Sequence, residues 1–252
     1  MENTFQFTIF HPQGLLAAYI QGIWAGTVTS CTSSSLKRWL ASDAGSGIIF
    51  ILQGSIKIND KNFSSGAVLL PVSTQAHSVT LAAGTQIAGI RFNPASGGVD
   101  NSQWQGLVTQ LKVVQGHYAR ITTLYRELIN QHCHFRTIPE RLKQGLSLIQ
   151  QQSSVNVVCD ELDITQRQIE RLFKTWVGMT PKYYQRLMRV KTTMGLLKQN
   201  PQLKLAALAL ELGFADQAHM TRECKEIALI TPKLYATALI KRQHSSRLMA
   251  VN

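Results

Sequence analysis

With 26 Lys and Arg against 14 Asp and Glu, the 252-residue chain carries a net charge of +12. That excess draws it towards polyphosphates, of which nucleic acid is the commonest, while an anionic membrane surface would call for a basic amphipathic helix with exposed large apolar residues, which the sequence does not show. A hydrophobic content of 44% suffices for two domains, or one and a half; no run of about 18 apolar residues offers a membrane span, and the N-terminus lacks the features of a secretory signal.

Residues 5–92 read as β-rich. Phe5–Phe10, Ile48–Leu52, Ser55–Asn59, Ala67–Pro71, Val79–Leu81 and Gln86–Phe92 make at least six short strands, with Asn59–Asn62 as a turn. Such density suggests a small sandwich or barrel. Residues 14–25 fit one helical turn leading into a strand around Trp24. Asn93-Pro-Ala-Ser-Gly-Gly98 is the clearest boundary. Beyond it Trp104, Leu107, Val108 and Leu111 share a helical face, and Ile121, Leu124, Tyr125, Leu128 and Ile129 form a second. Pro139 suits the first turn of another helix. The domains expected are 1–95, a helical connector and possible dimerisation region over 96–137, a helical domain over 138–242, and a frayed tail over 243–252.

The helical domain repeats itself. Val158, Cys159, Leu162 and Ile164 match Leu208, Ala209, Leu212 and Phe214 at an offset of 50. One extra residue in the second turn makes the offset 51, so that Ile169, Arg171 and Lys174 match Met220, Arg222 and Lys225. Thr180-Pro-Lys-Tyr-Tyr184 then matches Thr231-Pro-Lys-Leu-Tyr235. Each copy, about 155–175 and 205–226, reads as a short helix, a tight turn at Asp163 or Gly213, and a helix with long polar side chains outside. Between them Tyr184, Leu187, Val190, Met194 and Leu197 make one face of a rod of roughly 27 Å, flanked by Arg186, Arg189, Lys191 and Lys198. Successive major-groove faces of B-DNA lie about 34 Å apart, so such a rod suits a reader of two adjacent grooves. Charge follows the same division: 9 Lys and Arg against 5 acidic residues up to Thr137, and 17 against 9 beyond it.

Residues 139–240 resemble the DNA-binding domain of the AraC/XylS family of bacterial transcription regulators. The resemblance rests on Arg171-Leu-Phe-Lys with Gly178-Met-Thr-Pro181, on Gly213-Phe-Ala-Asp-Gln217, and on Thr221-Arg-Glu-Cys-Lys225 with Thr231-Pro232. Cys224 and Leu229 depart from it, standing where the family usually has Phe and Gly, and Ala215 replaces a frequent Ser. The family pattern implies base contacts from Arg167, Glu170 and Arg171 in the first unit, and from Gln217, Ala218, Thr221 and Arg222 in the second. Arg pairs with guanine, Gln with adenine, Glu with cytosine N4, and Ala offers a methyl to thymine. Gln168, Lys174, Lys182, His219, Lys225 and Lys233 fall where backbone contacts are made, which set affinity rather than sequence. Arg171 and Arg222 have a plainer alternative as intradomain ion-pair formers, and Glu170 as a solvated carboxylate.

The same resemblance makes the first 95 residues a cupin-like β-barrel that senses or regulates, the whole being an α+β chain with an all-α C-terminal domain. Trp24, Trp39, Phe50 and Phe92 are candidates to line an apolar ligand pocket, against plain core. Partners implied are double-stranded DNA, RNA polymerase and a small-molecule or protein effector, for a monomer or homodimer in the cytoplasm. Four scattered cysteines (Cys31, Cys133, Cys159, Cys224) without a CxxC pair agree with a reducing compartment. His132-Cys133-His134 cannot easily converge on one tetrahedral ion, and His11 and His77 have no acidic partner at ligand spacing, so no metal and no cofactor is expected. No GxSxG, P-loop or GxGxxG occurs, so no enzyme is expected. The rival readings are a protein-interaction module with vestigial DNA binding, and a DNA-modifying enzyme carrying such a domain.

Overall fold

The computed structural model describes residues 4–29, 35–96, 102–131 and 135–249. Nine strands are described: β1 (Thr4–Phe10), β2 (Ile20–Thr29), β3 (Leu36–Leu40), β4 (Gly47–Gln53), β5 (Ile56–Ile58), β6 (Lys61–Phe63), β7 (Gly66–Leu70), β8 (His77–Leu81) and β9 (Gln86–Phe92). A 3-10 turn at Gly14–Leu16 precedes β2, as the ambiguous stretch suggested. The strands form two antiparallel sheets, β1-β2-β9-β4-β7 and β3-β8-β5-β6. Asn59 and Asp60, both at positive φ, make a two-residue hairpin turn, and Lys61–Phe63 pairs back as β6 rather than continuing the turn.

The sheets do not close into the expected barrel. The reason lies in β4, whose two faces are both apolar: Ile48, Phe50 and Leu52 enter one core, Ile49 and Ile51 another. A strand buried on both sides belongs to a middle layer rather than to a barrel wall with a wet outer face. One face of the five-stranded sheet meets Ile56, Ile58, Val79 and Leu81 of the second sheet. The other is covered by helices α1 (Ser102–Val113) and α2 (His117–Gln131), through Trp104, Leu107, Leu111, Leu124 and Leu128. The helices read as a connector are thus a third layer of the N-terminal domain. Their buried apolar faces pack on the sheet, while Val113 and Tyr118 stay exposed.

The C-terminal part comprises α3 (Glu140–Gln150), α4 (Val155–Glu161), α5 (Gln166–Trp176), α6 (Pro181–Gln199), α7 (Leu205–Glu211), α8 (Gln217–Ile227) and α9 (Pro232–Met249). Pro139 caps α3 from just outside it, and α9 continues to Met249, so the backbone of 243–249 is helical rather than frayed. Hydroxyl and carboxylate caps start the helices: Ser154, Thr165, Thr180 and Asp216 each accept a backbone N–H from three residues on. At Thr165 the cap is reciprocal, with Gln168 reaching back. One core runs through the two helix pairs, from Ile164, Ile169 and Phe173 past Tyr184, Leu187 and Val190 to Leu208, Met220 and Cys224.

Ala44 and Ala95 of the N-terminal part are buried in that same core. The loop between β7 and β8 also reaches the helices. Ala76 N–H donates to the carbonyl of Ile227 at the end of α8 (2.8 Å), and the Tyr183 hydroxyl donates to the carbonyl of Thr74 (3.2 Å).

Candidate nucleic-acid interface

In α5, Ile169 and Phe173 are buried, which turns Arg167, Glu170, Arg171 and Lys174 to solvent at the 3-4-7 spacing of one helical face. In α8, Met220, Glu223, Cys224 and Ile227 are buried. The opposite face presents Ala218, Arg222 and Lys225 exposed and Thr221 half-exposed, each 51 residues after its counterpart, with Gln217 exposed ahead of them. The duplication therefore displays Arg-Glu-Arg-Lys on one helix and Ala-Thr-Arg-Lys on the other, at the same four positions.

Arg167, Arg171 and Arg222 form no ion pair among the described residues, and neither do Lys174, Lys182, Lys225 and Lys233, all exposed. That leaves seven cations open to an outside anion. Glu170 accepts from Gln166 Nε2 (2.8 Å), and the Thr221 hydroxyl donates to the Gln217 carbonyl (2.8 Å), so both side chains are held along their helices. Two expected backbone contacts are engaged elsewhere. Gln168 Oε1 accepts from Thr165 N–H (2.8 Å) in the capping box. His219 turns inward: its Nδ1 accepts from Ala215 N–H (3.2 Å), its Nε2 lies 3.2 Å from Glu223, and its ring stands edge-on to Phe214. Both nitrogens of His219 thus have partners within the domain.

Sequence reasoning treated Arg186 and Arg189 as surface charge on the rod, and the structure ties them down. Arg186 Nε donates to Glu223 Oε1 (2.8 Å) and its terminal nitrogen to Glu226 (2.7 Å). Arg189 donates to both oxygens of Glu223 (3.3 Å each) and to the Gly213 carbonyl (3.1 Å), with its guanidinium 4.9 Å from the Phe214 ring centroid. Burial lowers the Arg186 pKa, but bonding to Glu226 and Glu223 outweighs it and raises it. The signal for this cluster was available: Glu223 is an acid at a core position where its twin is Leu172.

Between the two sheets lies a cavity of about 530 Å³ whose walls include Phe5, Phe7, Trp24, Trp39, Val79 and Leu81, with Arg38, Arg91 and Lys198 also lining it. Gly89 lets Trp24 sit there, since a Cβ at that position would stand 2.2 Å from the indole. Phe50 and Phe92 are fully buried on the opposite face of the sheet, near Trp104 and Phe135, and do not belong to the cavity. Period-two alternation separates them from it. Arg91 is bonded to Asp43; burial pushes that carboxyl up, and Arg91 more than reverses it, holding it below the ordinary range. Among the described residues no group of three His, Cys, Asp or Glu could hold a metal ion, while Cys31 and His132-Cys133-His134 lie outside them. No described helix is long and apolar enough to cross a membrane.

Residues 158–238 match the family described as "Helix-turn-helix domain". A curated relative from Haemophilus influenzae, an uncharacterized HTH-type transcriptional regulator, is 28% identical over 116 residues, which is 44% of this chain and 39% of the relative. The match thus spans well under two thirds of that relative's length. Two solved structures of ToxT from Vibrio cholerae resemble the fold over 94% of this chain, each at 11% identity. One covers 98% of its own chain with a TM-score of 0.50. The other, bound to (E)-4-(8-methylnaphthalen-1-yl)but-3-enoic acid, covers 100% with a TM-score of 0.51. At that identity the likeness is one of fold. The C-terminal part of the chain, with its duplicated helix pairs on a shared rod, is an AraC-type helix-turn-helix domain.

Proposed function

We propose that the protein is a sequence-specific regulator of transcription that reads double-stranded DNA through α5 and α8 in adjacent major grooves, under control of its N-terminal domain. The observation carrying this reading is the pair of matched exposed faces, Arg167-Glu170-Arg171-Lys174 and Ala218-Thr221-Arg222-Lys225, joined by the 19-residue α6. At about 1.5 Å per residue α6 is roughly 28 Å long, of the order of one duplex turn. Lys174, Lys182, Lys225 and Lys233 serve as phosphate contacts, and the arginines as base readers. A reader of promoter DNA would act in the cytoplasm, with RNA polymerase as its downstream partner.

The cavity suits an apolar effector bearing an acidic group, since its aromatic and aliphatic walls sit beside Arg38 and Lys198, Arg91 being paired with Asp43. A ToxT structure holds an aromatic carboxylic acid, which supports the same ligand class here. Leu70, just before the loop that touches Ile227, and Val79, in the strand that follows it, both line the cavity, giving effector binding a physical route to α8.

Fluorescence anisotropy on duplexes selected by the protein and on random duplexes, over a salt series, tests the DNA reading. Arg171→Ala is expected to lose about 1–3 kcal/mol of discrimination while random-duplex affinity changes little. Lys174→Ala should weaken both classes alike and reduce the salt slope by about one. Equal affinity for selected and random duplexes would refute it.

A further inference from the structure

We infer that Glu223, which faces away from the DNA-reading surface, is the positioning residue that gives the second unit its sequence specificity. This deepens the DNA-reading proposal and rests on it. Glu223 is 5% exposed, inside the recognition helix α8 and adjacent to the reader Arg222. Its carboxylate gathers three side chains from two elements: Arg186 and Arg189 from α6, and His219 one turn earlier on α8. Arg189 also holds the Gly213 carbonyl in the turn that precedes α8.

These bonds are directional. Rotation or sliding of α8 along α6 would stretch several of them together, whereas an apolar contact such as the twin unit makes through Leu172 tolerates small slips. Arg222 and Thr221 ride on the same helix, so the anchor fixes where they meet base edges. The anchor also keeps Arg186 and Arg189 occupied within the cleft they share with Arg222, Lys182 and Glu226, where released they would add two unspecific cations beside the duplex. Glu223 therefore raises specificity in two ways, by aligning the reader and by withholding neighbouring charge.

The test selects duplexes from a randomised pool with the full chain and with Glu223→Gln, which keeps the shape and removes the charge. Wild type is expected to return a two-block motif, and Arg171→Ala and Arg222→Ala assign each block to its unit. Glu223→Gln should lose about tenfold or more of discrimination in the Arg222 block. It should leave the other block intact and bind random duplex at least as tightly, with a steeper salt dependence. Arg189→Gln, acting on the same carboxylate from α6, should give the same one-sided loss and stands in if Glu223→Gln does not fold. Retention of both blocks overturns the proposal. So does a parallel loss of both blocks and of random-duplex binding with a lowered melting temperature, the mark of a merely structural role. A wild-type selection without any motif would instead fail the DNA reading itself.

Discussion

The first unit, α4 with α5, and the second, α7 with α8, show solvent the same four positions yet hold their recognition helices by different chemistry. In the first, Phe173 is fully buried 5.6 Å from the Tyr184 ring and Leu172 packs on the same core, while a reciprocal cap closes the helix start. In the second, Cys224 and Glu223 occupy those places, and α8 is held by the Arg186, Arg189 and His219 cluster. The second also ends on a bond from the N-terminal domain, Ala76 to Ile227. Duplication has kept the exposed face and let the interior diverge. The first unit is anchored by non-directional apolar burial within its own domain. The second depends on oriented charge and on a loop of the N-terminal domain that lies between two cavity-lining strands.

The largest effect that would sharpen this contrast is in the cores. Phe173→Ala should cost about 3–5 kcal/mol, since a buried aromatic leaves a cavity, whereas Cys224→Ala should cost only about 1 kcal/mol. Urea unfolding followed by far-UV circular dichroism measures both. Equal losses would mean that the second unit relies on apolar packing as much as the first.

Alkaline pH gives the next test, with one group from each side of the comparison. Burial, opposed by a bond from Gln150, raises the Tyr184 pKa from 10.0 to about 12. Burial, aided by Glu223, takes Cys224 from 9.0 to about 12. Both are protonated in the folded chain and release a proton on unfolding once the pH passes their ordinary values. Their contribution is complete below about pH 9 and falls as pH rises towards 12, by about 1.4 kcal/mol per pH unit for each group. Cys224→Ala removes one of the two, so its stability should decline less steeply than wild type between about pH 9 and 12. Parallel urea midpoints for the two proteins across that range would show that the thiol is not buried as described.

Much of this architecture was legible before any coordinates, because it is written in periodicity and caps. The repeat, the Thr-Pro helix starts and the buried faces of α5 and α8 all follow from spacing. The N-terminal half was less so. β3 and β6 are short strands with few inward apolar residues, and β4 is apolar on both faces, so alternation could not say which side met helices and which met the cavity. For the same reason Phe50 and Phe92 looked equivalent to Trp24 and Trp39. Glu223 escapes a local reading because an acid on a helix is ordinarily solvated, and its two arginine partners lie 34 and 37 residues away. Long-range charge pairing leaves no local pattern.

The smallest test concerns how each recognition helix stops. Gly178 follows α5 at φ 79°, and its counterpart Leu229 follows α8 at φ 59°, 42% exposed. A left-handed residue with a Cβ costs roughly 1–2 kcal/mol, which glycine avoids. A Cβ at position 178 would meet nothing within 4 Å, so Gly178→Ala meets that backbone cost alone, and with about 0.4–1 kcal/mol of unfolded-chain entropy offsetting it should destabilise by about 0.5–1 kcal/mol. Leu229→Gly relieves the strain but adds about 0.4–1 kcal/mol of unfolded-chain entropy, leaving a net gain near half a kcal/mol. If Leu229→Gly instead destabilised by more than about 1 kcal/mol, the half-exposed Leu229 side chain would have to be holding the end of α8 through packing. The weaker stop would then be part of how the second unit is anchored rather than a residual strain.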